Sequence, residues 1–138
     1  MKKVKKILLV DDSTATNFFN KTMVQKTDLV EEVVLAKNGK EALDCLYDTT
    51  IPDIIFLDIN MPVMNGWEFL TEFEKLDIRF KKSTIILMIG AELAPEDMER
   101  VKRIPQIKEC RGKTLNKEIV TEIVNKYFEN VNSVEYTN

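Results

Sequence analysis

The chain has 138 residues, room for one domain at roughly 100–200 residues each, so a second catalytic or DNA-binding module is not expected. Its 20 Lys and Arg against 23 Asp and Glu give a formal charge of −3, which leaves no excess of positive charge to hold nucleic acid through its phosphates. There is no histidine, and Cys45 and Cys110 stand apart without CxxC spacing, which removes the usual zinc and haem ligand sets.

Residues 1–6 are basic, but the apolar run behind them, residues 7–10, stops at two aspartates. That run is too short for a secretion signal or a membrane span, so a cytoplasmic protein with reduced thiols and no membrane partner is expected. Residues 7–10 form the first strand. Residues 15–26 follow as a helix with Phe18, Phe19, Met23 and Val24 as its apolar face and Ser13 or Thr14 placed to cap it. The β-branched run 32–36 is the second strand, Asn38-Gly39 a turn, and 41–47 a helix with Ala42, Leu43 and Leu46 on one side. Residues 54–57 are the most apolar strand and therefore central; they run straight into Asp58 and a loop over 60–66.

A third helix spans 67–76 and a fourth strand 84–89. Pro95 opens the fourth helix and Pro105 stops it. Residues 107–112 carry Lys108, Glu109 and Arg111 and read as a short edge strand. Asn116 caps a fifth helix whose stripe of Ile119, Val120, Ile123, Val124, Tyr127 and Phe128 is expected to pack on the sheet. Residues 1–130 make the domain, and 131–138 a C-terminal tail expected to fray from Asn130 onward. The alternation of strands and helices predicts an α/β fold around a parallel sheet covered on both faces.

In an open parallel sheet, ligands bind beyond the carboxyl ends of the strands. There the chain places Asp11-Asp12 after the first strand, Asp58 after the third and Gly112-Lys113 after the fifth. Like charges about 4 Å apart repel by roughly 4 kcal/mol at an effective dielectric near 20, so a rim of carboxylates needs protons or a cation. A hard divalent ion such as Mg2+ suits an acidic rim without histidine. No GxGxxG loop is present, and Asp11-Asp12 would repel a bare phosphate, so a metal-bridged phosphoryl group is the ligand that fits.

Leu9-Val10-Asp11-Asp12, then Ile55-Phe56-Leu57-Asp58-Ile59-Asn60-Met61-Pro62 with Asn65-Gly66, then Gly112-Lys113 stand in the order and spacing of one known family. Over nearly its whole length the chain resembles the receiver domain of two-component response regulators, in its single-domain, chemotaxis-receiver-like form. The resemblance implies a flavodoxin-like, doubly wound five-stranded parallel sheet of order 2-1-3-4-5 with five helices. It implies Asp58 as the phosphoacceptor for a phosphohistidine on a sensor kinase or phosphotransfer protein. Asp12, Asp58 and the backbone carbonyl of Asn60 would hold Mg2+, Asp11 a metal-bound water, and Lys113 a phosphoryl oxygen. Asn60 and Glu92 resemble the variable positions that modulate the lifetime of the phosphoryl group.

Three positions depart from that family. Gly90 stands where a Thr or Ser hydroxyl usually meets the phosphoryl group, Cys110 where an aromatic residue is frequent, and Thr114 where proline usually follows the lysine, often after a cis peptide. A hydrogen bond to a charged group contributes about 1.5–3 kcal/mol and a typical allosteric coupling about 1–3 kcal/mol. Loss of the hydroxyl is therefore expected to disconnect phosphorylation partly from switching.

The expected function is a stand-alone response regulator, monomer or weak dimer, that signals by altered docking to a downstream protein. It is not expected to be an enzyme on outside substrates: transfer to and from Asp58 is self-catalysed. A magnesium-dependent phosphatase would need a DxD pair where this chain has Asp58-Ile59-Asn60. The alternative is a pseudo-receiver, an interaction module independent of phosphorylation.

Overall fold

In the computed structural model, which describes residues 4–47 and 50–129, the apolar runs become strands β1 (Val4–Val10), β2 (Val30–Ala36), β3 (Ile54–Asp58), β4 (Thr84–Met88) and β5 (Ile107–Arg111). They are all parallel and lie in the order β2-β1-β3-β4-β5. Helices α1 (Thr14–Lys26), α2 (Gly39–Leu46), α3 (Gly66–Glu74) and α4 (Pro95–Lys102) cross between successive strands, and α5 (Lys117–Val124) follows β5. This is the flavodoxin-like arrangement. None of the helices among the described residues is long and apolar enough to cross a membrane.

Strand period two explains why the sheet can be covered on both sides. In β3, Ile55 and Leu57 point into one core with Ala42, Leu46, Phe69 and Phe73 from α2 and α3. Ile54 and Phe56 point into the other, with Val24 of α1 and Val120, Ile123 and Val124 of α5. Every residue of β3 is buried, as its central position requires. The stripe of α5 packs on the sheet as its spacing predicts. Strand β5 is an edge, and its pairing with β4 skips Lys108, a bulge of the kind that blunts exposed edges.

The inward face of α1 is not the expected one. Phe18 is 67% exposed and Phe19 46%, while Asn17, Asn20 and Val24 are buried. Residues 17, 20 and 24 share one side of a helix at i, i+3 and i+7, and Phe18 and Phe19, rotated away from it, face outward. Two asparagines can occupy that side because the neighbouring chain offers backbone groups to bond. The cap of α1 is Ser13, whose hydroxyl accepts from Thr16 N–H at 3.1 Å.

Several boundaries also differ: β1 starts at Val4 rather than residue 7, and α2 at Gly39 rather than residue 41. Strand β2 starts at Val30, two residues before the β-branched run, because Val30 pairs with Val4. The α-helical geometry of α5 ends at Val124 and continues as a single π turn, Asn125–Glu129. In that turn Lys126 Nζ and Tyr127 Oη donate to Glu109 on β5. The fraying tail lies outside the described residues, as does the boundary at 130–131.

Helix α4 is held differently from the others. It buries no residue fully, and Ala94 at its start supplies no side-chain cap. Arg100 straps it to α3 instead, donating to Trp67 O at 3.0 Å and Thr71 Oγ1 at 2.6 Å. Its guanidinium lies 5.0 Å from the centre of the Trp67 ring, within cation–π range.

Candidate functional site

Asp58 is the last residue of β3, and Asp11 follows β1 directly, so parallel pairing of these neighbouring strands brings their carboxylates to the same end of the sheet. One carboxylate oxygen from each of Asp11, Asp12 and Asp58 lies within 4.8 Å of the others. Asp58 is 1% exposed, and neither of its carboxylate oxygens accepts a hydrogen bond. Lys113, on the loop after β5, holds its Nζ 3.4 Å from Asp58 Oδ1. Folding therefore gathers all four residues singled out in the sequence.

Asp11 is buried and accepts from Ser13 N–H at 2.8 Å. Burial pushes its carboxyl above the ordinary value, and the charges of Asp58 and Asp12 add to the rise, against the Ser13 hydrogen bond and the charge of Lys113. Asp12 is exposed. A buried carboxylate whose oxygens accept no hydrogen bond, beside two further acids, is a donor set of hard oxygens, the type that divalent cations such as Mg2+ prefer. The residues present fit such an ion.

The β3–α3 loop is folded tightly against Asp58. Gly66 N–H donates to Ile59 O at 2.8 Å, and a Cβ on Gly66 would stand 2.7 Å from Asp58 O and 2.8 Å from Ile59 Cα. Only glycine allows that approach. Asn65 caps α3 in a reciprocal box with Glu68, and Met64 O accepts from Gly39 N–H at 2.8 Å, which ties the loop to α2. Val63 takes φ 69° and is exposed, an uncommon backbone for a β-branched residue.

A cavity of about 330 Å³ opens beside Asp58, with Asn60, Trp67, Gly90, Glu92 and Lys113 in its walls. Asn60 and Glu92, expected as modulators, are exposed wall residues. Gly90 is exposed, and a Cβ there would meet Lys113 Cε at 3.5 Å, an ordinary contact. Cys110 lines a second hollow of about 480 Å³ with Ile89, Leu93, Met98 and Val101. Burial pushes its thiol up, and the charge of Glu109 adds to this. Among the described residues there is no cis peptide bond, so the bond before Thr114 is trans.

The sequence reading missed three residues. Asn17 Nδ2 donates to Asp11 O at 2.8 Å and to Ala36 O at 3.0 Å. Asn20 Nδ2 donates to Lys113 O at 3.2 Å, and its Oδ1 accepts from Leu115 N–H at 2.9 Å. Trp67 closes the cavity and meets Arg100. The available signal was the pair Asn17 and Asn20, three apart inside a helix where asparagine is a poor former.

The response regulator receiver domain family matches residues 7–125. A protein-glutamate methylesterase/protein-glutamine glutaminase from Methanococcoides burtonii is 30% identical over 142 aligned positions, which cover 96% of this chain and 39% of the relative. The chemotaxis protein CheY of Listeria monocytogenes is 42% identical over 72 positions, covering 52% of this chain and 59% of that protein. The chain thus spans well under two thirds of these relatives. A two-component response regulator from Cytophaga hutchinsonii superposes with a TM-score of 0.78 at 30% identity, covering 91% of this chain and 97% of that one.

Proposed function

The chain belongs to the response regulator receiver domain family, and we propose that Asp58 is the residue on which it accepts a phosphoryl group from a sensor histidine kinase or a phosphotransfer protein. The observation that carries this reading is the state of Asp58: buried, with neither oxygen accepting a hydrogen bond, and flanked by two acids and by the Lys113 ammonium at 3.4 Å. A carboxylate left in that condition is costly to the fold, which is understandable if it is kept as a nucleophile.

In the reaction, an oxygen of Asp58 attacks the phosphorus of the phosphorylated imidazole. The P–N bond breaks, its electron pair stays on the ring nitrogen, and that nitrogen takes up a proton. Lys113 stands where its charge offsets that of a phosphoryl oxygen. Asp11, Asp12 and Asp58, with the backbone carbonyl of Asn60, would hold Mg2+, which when bound supplies the positive charge that the three carboxylates and a phosphoryl group lack. Dephosphorylation is attack of water on phosphorus, cleaving the P–O bond and returning the carboxylate and inorganic phosphate. Asn60 and Glu92 border the cavity through which water would enter and set the lifetime of the phosphorylated state. Signalling then proceeds by altered docking to a downstream protein.

Gly90 brings no hydroxyl to this cavity. The response to phosphorylation therefore runs through the backbone amide of Gly90 or through the loops after β1 and β3, with α4 only partly engaged. The deciding experiment is incubation with acetyl phosphate and Mg2+, repeated with Asp58→Asn. Label on the wild type and none on the variant is expected. Equal label on both moves the acceptor elsewhere, and no label on either favours a pseudo-receiver that docks without phosphorylation.

A further inference from the structure

We infer that Asn20 is a positioning residue whose carboxamide sets where Lys113 stands relative to Asp58; the inference rests on the reading of Asp58 as phosphoacceptor. Asn20 lies on α1, distant in sequence from Lys113, and is 3% exposed. Its two bonds grip the loop on both sides of Thr114, one at the carbonyl of Lys113 and one at the N–H of Leu115. Leu115 is itself buried, so its N–H has no water to turn to.

The loop needs such a grip. Gly112 has open space around its α-carbon, with nothing within 4 Å of a would-be Cβ, and glycine is the least restricted residue of the chain. Thr114 leaves its own φ free, unlike a ring-constrained residue. At Gly90 no side chain leans on the lysine methylenes, although a Cβ there would be 3.5 Å from Lys113 Cε. The lysine side chain, 41% exposed, is thus aimed mainly from its backbone, and the backbone is held by Asn20.

An asparagine inside a helix and inside a core is unfavourable on both counts unless its amide is fully used. Here both its donor and its acceptor are spent on the lysine loop. One turn earlier Asn17 donates its Nδ2 to Asp11 O and to Ala36 O of β2, while its buried Oδ1 accepts no hydrogen bond. The buried polar face of α1 therefore pins the acid side and the lysine side of the site to one rigid element.

The test uses the full chain and acetyl phosphate at saturating Mg2+. Rates of Asp58 phosphorylation and Mg2+ affinity are followed by the fluorescence of Trp67, the single tryptophan of the chain and a wall of the cavity. Four proteins are compared: wild type, Asn20→Leu, which keeps the shape of the side chain, Lys113→Ala, and the double variant. Misplacement of a reacting group by about 1 Å can cost roughly a hundredfold, and Asn20→Leu is expected to slow phosphorylation about tenfold or more. The Kd for Mg2+ should stay within about twofold, and in the Lys113→Ala background the same substitution should change the rate by less than about twofold.

An unchanged rate in folded Asn20→Leu overturns the inference, as does an equal loss in both backgrounds. Should Asn20→Leu fail to fold, Asn20→Asp enters the same cycle, since it keeps the acceptor for Leu115 N–H and loses the donor to Lys113 O. A wild type that takes no label removes the reading of Asp58 itself; a labelled wild type with an unaffected Asn20 variant removes only this inference.

Discussion

At the scale of single residues, Asp58 holds a buried charge faced by one ammonium, Lys113, and by two further acids. Its oxygens accept no hydrogen bond and its neighbours include Asp11 and Asp12, so replacing it by a neutral amide relieves desolvation and repulsion at the loss of the Lys113 ion pair. Asp58→Asn is expected to raise Tm in chelator by about 3–5 °C, the equivalent of roughly 1 kcal/mol for a domain of this size. Mg2+ should raise the Tm of the wild type and leave that of the variant nearly unmoved, because only binding to the folded state stabilises it. A lower Tm for the variant in chelator would show that the Lys113 ion pair outweighs the burial and repulsion of the Asp58 charge. Glu109 is the opposite case. Burial pushes its carboxyl up, but hydrogen bonds from Tyr127, Lys126 and Arg111 outweigh burial and hold it down to about 2 from 4.5. A carboxyl depressed on folding adds stability above its unfolded pKa and loses it as pH falls through the folded one. Tyr127→Phe should therefore cost about 1 kcal/mol in urea unfolding near pH 7, with the difference shrinking as pH falls from 4.5 toward 2. A difference that persists undiminished at the acid end would show that Tyr127 acts by packing alone.

Among the elements, α4 is the one whose attachment decides how far the site is felt. Arg100 straps it to α3, it contributes no fully buried side chain, and such elements open at low free energy. With Gly90 in place of a hydroxyl-bearing residue, beryllium fluoride and Mg2+ should change amide exchange in the β1–α1 and β3–α3 loops and leave α4 nearly unchanged. Gly90→Thr, whose Cβ fits at an ordinary 3.5 Å from Lys113 Cε, should bring α4 into the response. Strong protection changes in α4 of the wild type would contradict the proposed disconnection. The elements also show what could be read in advance. Strands announced themselves because continuous β-branched and apolar runs must be buried on both faces, and the charges of Lys108, Glu109 and Arg111 marked β5 as an edge. The inward face of α1 could not be read by hydrophobicity, since the side chains that belong there answer to the carbonyls of Asp11, Ala36 and Lys113, which only the tertiary structure brings near. The π turn after α5 was equally hidden: Tyr127 and Phe128 continue the helical stripe, and the pull of Glu109 on Lys126 and Tyr127 acts across elements.

For the whole molecule, one rule of parallel sheets accounts for the site: strand ends converge, and what the chain places there meets. Asp11, Asp12 and Asp58 were legible because they follow apolar strands and Lys113 because it follows the charged edge strand in the order and spacing of receivers, and the sheet order then fixes their proximity. Asn17 and Asn20 stood out only as poor helix formers three apart, and Trp67 not at all, because their roles depend on helices whose orientation is set by the packed fold. Together these residues put a buried carboxylate, two further acids and an ammonium on one rim, the arrangement on which the proposed phosphoryl transfer rests. The most direct check of this account is mass spectrometry of the intact chain after acetyl phosphate and Mg2+, with Asp58→Asn alongside. The account predicts one labile phosphoryl group on the wild type, not formed when chelator replaces Mg2+ and absent from the variant; equal phosphorylation of the two proteins would contradict it.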